Sequence, residues 1–330
     1  MPDLSALAVA VPHWLVAAFL GVGLDFLFGE VTRFHPLVGF GHWANRLEQW
    51  LNPNLAINPA NANPPPDRST HPLTPGLWYG VLAWGLAVLP WVLLAAWLHS
   101  LAPLLTDTLL LYFALGARSL SEHAQAIVSP LQANDLVQAR LQVSYLVSRE
   151  TNTLDASGVA LAGTESVLEN GHDAVFATLF WFAIGGGPAV LLFRLANTLD
   201  AMWGYRTPRL KAFGCFSARV DDGLGFFSAR LTALTYALCG QFRNALLCWK
   251  QQAPQWGSPN AGPVMAAGAG SLGVQLGGPA CYHGHMEERP SLGLGKAPQA
   301  ADLARAIRLI QQGLLLWLAG FTLLAFFAGS

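Results

Sequence analysis

The chain has 330 residues, 53% of them hydrophobic and only 11% charged, with a net charge of -1. Soluble domains carry about 25% charged residues, so this composition, with a mean hydropathy of +0.39, excludes an ordinary soluble domain and points to a membrane protein. The near-neutral balance also leaves no basic surface for nucleic acid, and no nucleic-acid partner is expected.

A membrane span needs about 20 apolar residues. In chain order the candidates are residues 4–28, 76–98, 101–117 (weakened by Asp107) and 307–327. No basic residue precedes the first run, so it is expected to stay as a span and not be cleaved as a signal peptide. Two further apolar runs are ambiguous. The run 174–196 is interrupted by GGGP at 185–188, which suits a broken or re-entrant element. The run 231–249 carries Gln241 and Arg243 and reads as a buried or interfacial helix. The expectation is an all-α, polytopic helical membrane protein, with about four firm spans, a broken or re-entrant apolar hairpin and cytoplasmic helical loops. It forms one integral membrane domain over 1–330. Within it lie a flexible Pro/Asn-rich loop at 52–75, a motif-rich catalytic region at 118–230 and a Gly/Pro-rich loop at 250–300. The cysteines Cys215, Cys239, Cys248 and Cys281 form no CxxC pair and read as reduced. Arginines and lysines gather in the long loops and are absent from the short HSLAP turn at 99–103. The long loops are therefore placed in the cytoplasm and the turn outside. If 118–173 and 197–230 share one face, 174–196 must return to its own side.

The chemistry-bearing residues flank that run. Glu165 and Glu169 are four apart and stack on one helical face, where like charges repel unless a cation or a proton intervenes. Asn170 and Asp173 follow. Beyond the run come Asn197 and Asp200, then Asp221 and Asp222 between Arg219 and Arg230. Each motif alone also suits a solvated helix face or a helix cap. Together, around one apolar hairpin, they read as an oxygen-rich Mg²⁺ site, with Glu165, Glu169, Asn197 and Asp200 as candidate ligands. Arg149, Arg219 and Arg230 suit phosphate. The stretch GARSLSEHA adds Arg118 and His123, and VSRETNTL adds Ser148 and Thr151 at a helix start that can cradle phosphate. No G-x-x-x-x-G-K-[ST] run is present, so a nucleotide would not be held by a P-loop of that kind.

The order of LDFLFGE, FHPLVGFG, ARSLSEHA, LVSRETNTL, ESVLENGHDAVFATLFWFAIGGGPAVLLFRLANTLDAMWGYR, FGCFSARVDDGLGFFSAR, SPNAG and GSLGVQLGGP resembles the CobD/CbiB family over nearly the whole chain. The resemblance implies a multi-pass enzyme of the cell (inner) membrane with its active site facing the cytoplasm. It implies joining of (R)-1-amino-2-propanol phosphate or ethanolamine phosphate to a propionate carboxylate of adenosylcobyric acid. ATP is the co-substrate, Mg²⁺ the cofactor and adenosylcobinamide phosphate the product. The lipid bilayer and other corrinoid-pathway enzymes are the expected partners. Catalytic roles fall to Glu165, Glu169, Asp200, Asp221, Asp222 and His123. Substrate or phosphate binding falls to Arg118, Ser148, Arg149, Thr151, Asn170, Asn197, Arg219 and Arg230. The chain departs from the family pattern at Glu30 and Val31, at Gly225 and Ser228, and at Pro263 and Val264, where a Trp-Pro-Glu run is usual after SPNAG. Two other classes stay open: another Mg²⁺-dependent phosphate-handling membrane enzyme, and a non-enzymatic membrane regulator or transporter. A prenyltransferase would show two well-separated Asp-rich D-x-x-x-D sites, where only DD and the two glutamates are visible, and a transporter would show charged residues inside spans in two matching halves, where no such repeat is found.

Overall fold

The computed structural model describes residues 11–31, 36–55, 75–282 and 285–329. The start of the first predicted span, His35, His283 and most of the Pro/Asn-rich segment fall outside them. Twelve α-helices account for most of the described chain: α1 (His13–Phe28), α2 (Pro36–Leu51), α3 (Pro75–Leu101), α4 (Pro103–Ala114), α5 (Ala117–Gln132), α6 (Leu136–Ser144), α7 (Ala156–Gly171), α8 (Ala177–Trp203), α9 (Cys215–Cys239), α10 (Phe242–Gln252), α11 (Ala261–Leu272) and α12 (Ala300–Gly329). Four three-residue strands make two small antiparallel pairs, β1 (Gln275–Gly277) with β4 (Ser291–Gly293) and β2 (Ala280–Tyr282) with β3 (His285–Glu287).

Three helical stretches are long and apolar enough to cross a membrane: Pro75–Leu101, Ala156–Trp203 and Ala300–Ala328; His13–Phe28 is a shorter apolar helix. Large apolar side chains point outward along them, among them Trp78, Leu93 and Trp97 on α3 and Leu315, Leu323 and Phe327 on α12. In water such a surface would aggregate; against lipid it is matched. The molecule is an all-α, polytopic membrane protein. The span expected at 101–117 is shorter than predicted, because Pro103 starts α4 and the chain leaves helical geometry at Leu115. Twelve residues rise roughly 18 Å, well short of a bilayer core. The 231–249 run is split between α9 and α10 at Gly240, where a side chain would collide with Ser271.

The second long stretch is not straight. α7 continues through one π turn, His172–Phe176, into α8. Inside α8 the helix breaks at Gly185 (φ -153°, ψ 27°) and Gly186 (φ 61°, ψ -154°). The second of these conformations is close to glycine-only. Asp173 before the break and Asn197 and Asp200 after it line one cavity, so the chain reverses there. Asp107 of α4 fixes the turn: its Oδ1 accepts the Gly187 N–H at 2.7 Å and faces His99 Nδ1 at 2.8 Å. At the other end Gly116 N–H donates to Ala174 O at 3.1 Å. The hairpin is thus pinned at its tip and its base.

The Gly/Pro-rich 250–300 region, expected as an ordered loop, contains a buried helix. Every residue of α11 from Gly262 to Leu272 is buried. Its composition of Ala, Gly and Ser lets α7, α9 and α10 approach closely from all sides, and small residues permit such approach.

Candidate active site

The two ends of the hairpin open onto one cavity of about 380 Å³. Glu169, Asn170 and Asp173 reach it from α7 and the π turn, Asn197 and Asp200 from the returning arm of α8, and Asp221 and Asp222 from α9. Asn260, just before α11, closes the far wall. Five carboxylates therefore line one space, and the residues lining it include no lysine or arginine. The hydrogen bonds hold the frame. Asn197 Nδ2 donates to Asp221 Oδ1 at 3.3 Å, and Asn260 Nδ2 donates to the Asp222 carbonyl at 2.9 Å. His172 is tied to Asp173 Oδ1 through Nδ1 at 2.7 Å and to Ser228 Oγ through Nε2 at 3.0 Å. Gly225 leaves the room that the Asn260 amide fills, since a Cβ there would lie 2.6 Å from Nδ2. Burial, with Asp173 and Asp200 close by, raises the Asp221 pKa from its ordinary 3.8 to about 7. Burial also raises Asp222, against the opposing pull of Arg206. An all-oxygen donor set of carboxylates and amides is the chemistry that Mg²⁺ prefers, so the residues present fit that ion.

Glu165 is not part of this cavity. It is buried and ion-paired with Arg149. Arg289 also reaches both its oxygens at 3.3 Å, and the Gly277 N–H donates to Oε1 at 2.8 Å. The expected carboxylate pair is therefore divided: Glu165 anchors the β1–β4 segment to α7, and Glu169 faces the cavity. Arg149 is committed to Glu165 by the same contact. Ser148 is exposed and Thr151 buried beside it, both in the link between α6 and α7. Arg118 closes the end of α1, donating to the Phe26 and Leu27 carbonyls at 3.0 and 2.8 Å, and pairs with Glu122. Arg219 is exposed on α9.

Arg230 belongs to a second cavity of about 540 Å³ beside the acidic one, with Trp249, Lys250 and Trp256 in its walls and Ser258 shared by both. Its guanidinium lies 3.6 Å from the Phe226 ring centroid and donates to Asn260 Oδ1 at 3.2 Å. His123 belongs to a third cavity, of about 170 Å³, with Glu30, Ser119, Asn170 and Arg194. Val264 stands in the acidic wall and Pro263 in the Trp-lined wall, so the departure after SPNAG falls between the two larger cavities. Sequence reasoning missed Arg194, Arg289 and Asn260. An arginine inside an apolar run is a signal in itself, and it was available for Arg194.

Residues 18–310 match the family model described as CobD/Cbib protein. The protein named "Cobalamin biosynthesis protein CobD" of Stutzerimonas stutzeri is 54% identical over 300 residues, covering 89% of this chain and 92% of its own. Its namesake in Chromobacterium violaceum is 49% identical over 315 residues, with 92% and 95% covered. That of Mycobacterium tuberculosis is 37% identical over 310 residues, with 90% and 92% covered. No solved structure matches.

Proposed function

The chain belongs to the CobD/CbiB family, and from that premise we propose that it is the membrane-bound, ATP-dependent synthase that forms adenosylcobinamide phosphate in cobalamin biosynthesis. The observation that carries this reading is the meeting of five carboxylates from α7, the π turn, α8 and α9 on one cavity, beside a larger cavity lined by Arg230, Lys250 and two tryptophans. A propionate carboxylate resists attack by an amine. Transfer of the γ-phosphoryl group of ATP to its oxygen gives an acyl phosphate. The amine nitrogen then attacks the acyl carbon, the C–N bond forms, the C–O bond to phosphate breaks, and phosphate and a proton leave.

Bound Mg²⁺ would neutralise charge on the phosphoryl group in transit; Glu169, Asn197 and Asp200, with Asp173 and Asp222 beside them, are the oxygen donors that would hold it. Trp249 and Trp256 offer faces for a base or a corrin edge, and Arg230 and Lys250 offer charge to the phosphates. Asp221 is placed to take the amine's proton, because burial and its acidic neighbours raise its pKa above the ordinary carboxylate range and make it the better acceptor. The hydrogen bond from Asn197 orients that carboxylate. The inner membrane, with the cavities open to the cytoplasm, is the location at which ATP and both substrates are available. The experiment is direct: purified full-length chain, adenosylcobyric acid, MgATP and either amino alcohol phosphate, with product followed by mass spectrometry. Formation of adenosylcobinamide phosphate is expected, and its absence with both amines, in a preparation that is folded and membrane-embedded, overturns the reading.

A further inference from the structure

The third cavity holds a charge that nothing described in the protein balances by contact. Arg194 lies on the returning arm of α8, between buried Phe193 and Leu195. Its guanidinium makes no hydrogen bond and no ion pair with any described residue, and its Nε is sealed from solvent without a partner. Glu30 and Asp173 act on it only at a distance. Each has a nearer partner: Glu30 Oε2 accepts the Ser119 hydroxyl at 2.7 Å, and Asp173 Oδ1 meets His172 at 2.7 Å. A cation partly withdrawn from water is unfavourable unless it is paired. Three other arginines near the cavities are committed: Arg149 and Arg289 to Glu165, Arg230 to carbonyl and amide oxygens.

We infer that Arg194 is the anion-holding residue of a phosphate-monoester subsite, with Ser119, His123 and Asn170 around it. Its volume, about 170 Å³, lies below the roughly 300–1,000 Å³ of sites for drug-sized ligands. It suits a phosphate carrying a few more atoms and is too small for a nucleotide. His123 Nδ1 donates to the Ser119 carbonyl at 2.9 Å, which leaves Nε2 as an acceptor for a hydroxyl of the ligand, the P–OH of a monoprotonated ester among them. Asn170 lines this cavity and the acidic one, so the two are one side chain apart. A small molecule with a phosphate at one end and an ammonium at the other matches the pair: anion on Arg194, cation toward the carboxylates. This polarity would deliver the amine to Asp221 and keep its phosphate out of the acidic cavity. The identity of the ligand as an amino alcohol phosphate rests on the proposed amide-forming reaction; the recognition of phosphate by Arg194 does not.

The test uses the full-length chain in nanodiscs, with ethanolamine phosphate, inorganic phosphate and ATP as separate titrants in calorimetry, and with ligand-free melting recorded for each variant. Charge-assisted hydrogen bonds to phosphate predict that Arg194→Met weakens ethanolamine phosphate and inorganic phosphate by roughly 10- to 100-fold and leaves ATP unchanged. Removing an unpaired charge should leave the ligand-free melting temperature equal or higher. Arg194→Lys, which keeps charge but loses the fork, should fold and raise KM for the phosphorylated amine and not for ATP. Unchanged phosphate affinity in either variant overturns the inference. So does a lower ligand-free melting temperature for the methionine variant that lysine restores, the signature of a structural arginine. Loss of ATP binding in place of amine binding overturns the assignment to the small ester. A parent that binds ethanolamine phosphate through Arg194 yet makes no product upholds the subsite and overturns the reaction.

Discussion

Removing the charge of Glu165 would strand two guanidinium groups, because Arg149 and Arg289 both close on its carboxylate in a buried setting. Breaking one partner of a buried ionic cluster costs about 3–5 kcal/mol. Glu165→Gln is therefore expected to lower the melting temperature sharply and lose activity through misfolding. Glu169→Gln, facing the cavity, should melt like the parent and instead need more Mg²⁺ for half-maximal turnover. Melting curves and Mg²⁺ titrations of the two variants check the pair. The spacing of the two glutamates was legible in the sequence; their division was not, because Arg289 is 124 positions from Glu165 and nothing local foretells that meeting. Asp221 carries the pH prediction. Its folded pKa, about 7, exceeds the ordinary 3.8 because burial and the neighbouring Asp173 and Asp200 disfavour its charge. Between those values the folded state binds the extra proton, so stability falls as pH rises through that window. Turnover should do the reverse, rising with pH as the base is freed, with its midpoint below about 7 because bound Mg²⁺ would favour the charged carboxylate. Asp221→Asn should remove that rise along with most activity, and should flatten the stability curve; a pH-rate profile and melting at several pH values measure both.

The hairpin is the element on which the cavities depend, and its reversal rests on very few atoms. A Cβ on Gly186 would fall 2.7 Å from Asp107 Oδ1, at a backbone conformation that side chains avoid. Gly186→Ala is expected to destabilise by about 1–3 kcal/mol and to displace Asp107 from the Gly187 N–H. Because the base of the hairpin carries Asp173 and Asp200, Mg²⁺ affinity should fall with it, although the substitution is far from the cavity. Gly23→Ala on α1, where a Cβ meets nothing within 4 Å, is the control and should change neither. The break itself was readable from GGGP within an apolar run, since a helix has poor means to continue through three glycines and a proline. The buried α11 was not readable: Ala, Gly, Ser and Pro at high density look like a loop when apolar periodicity is the only guide. What makes them helical is enclosure by neighbours, a tertiary cause that overrides local propensity.

Across the whole molecule, the hairpin arms decide which side each motif occupies. From Asp173 to the turn is about twelve residues, and from the turn to Asp200 about fourteen, or roughly 20 Å each way. A bilayer core is about 30 Å thick, so the hairpin enters and returns, and Glu169, Asp173, Asn197 and Asp200 share one mouth. The tip is held by His99 at the end of α3 and Asp107 near the start of α4, and a single mouth requires it to point to the opposite face. Positive charge follows the same division. Arg206, Arg209 and Lys211 stand just beyond the returning arm, and the turn between α3 and α4 carries none. Single cysteines at Asn152, Thr207 and Ser100, all exposed, report on this in a chain whose four native cysteines, which form no disulfide, have been replaced. An impermeant maleimide should label the first two only in inverted vesicles and the third only in intact spheroplasts. Labelling of positions 152 and 207 from opposite faces would separate the carboxylates of α7 from those beyond α8 and dissolve the single cavity. Labelling of Ser100 from the same face as Asn152 would turn α3 back to that face and remove the anchor of the hairpin tip. With either result no one mouth could gather the five carboxylates, and a Mg²⁺-dependent reaction on this chain would require a different site.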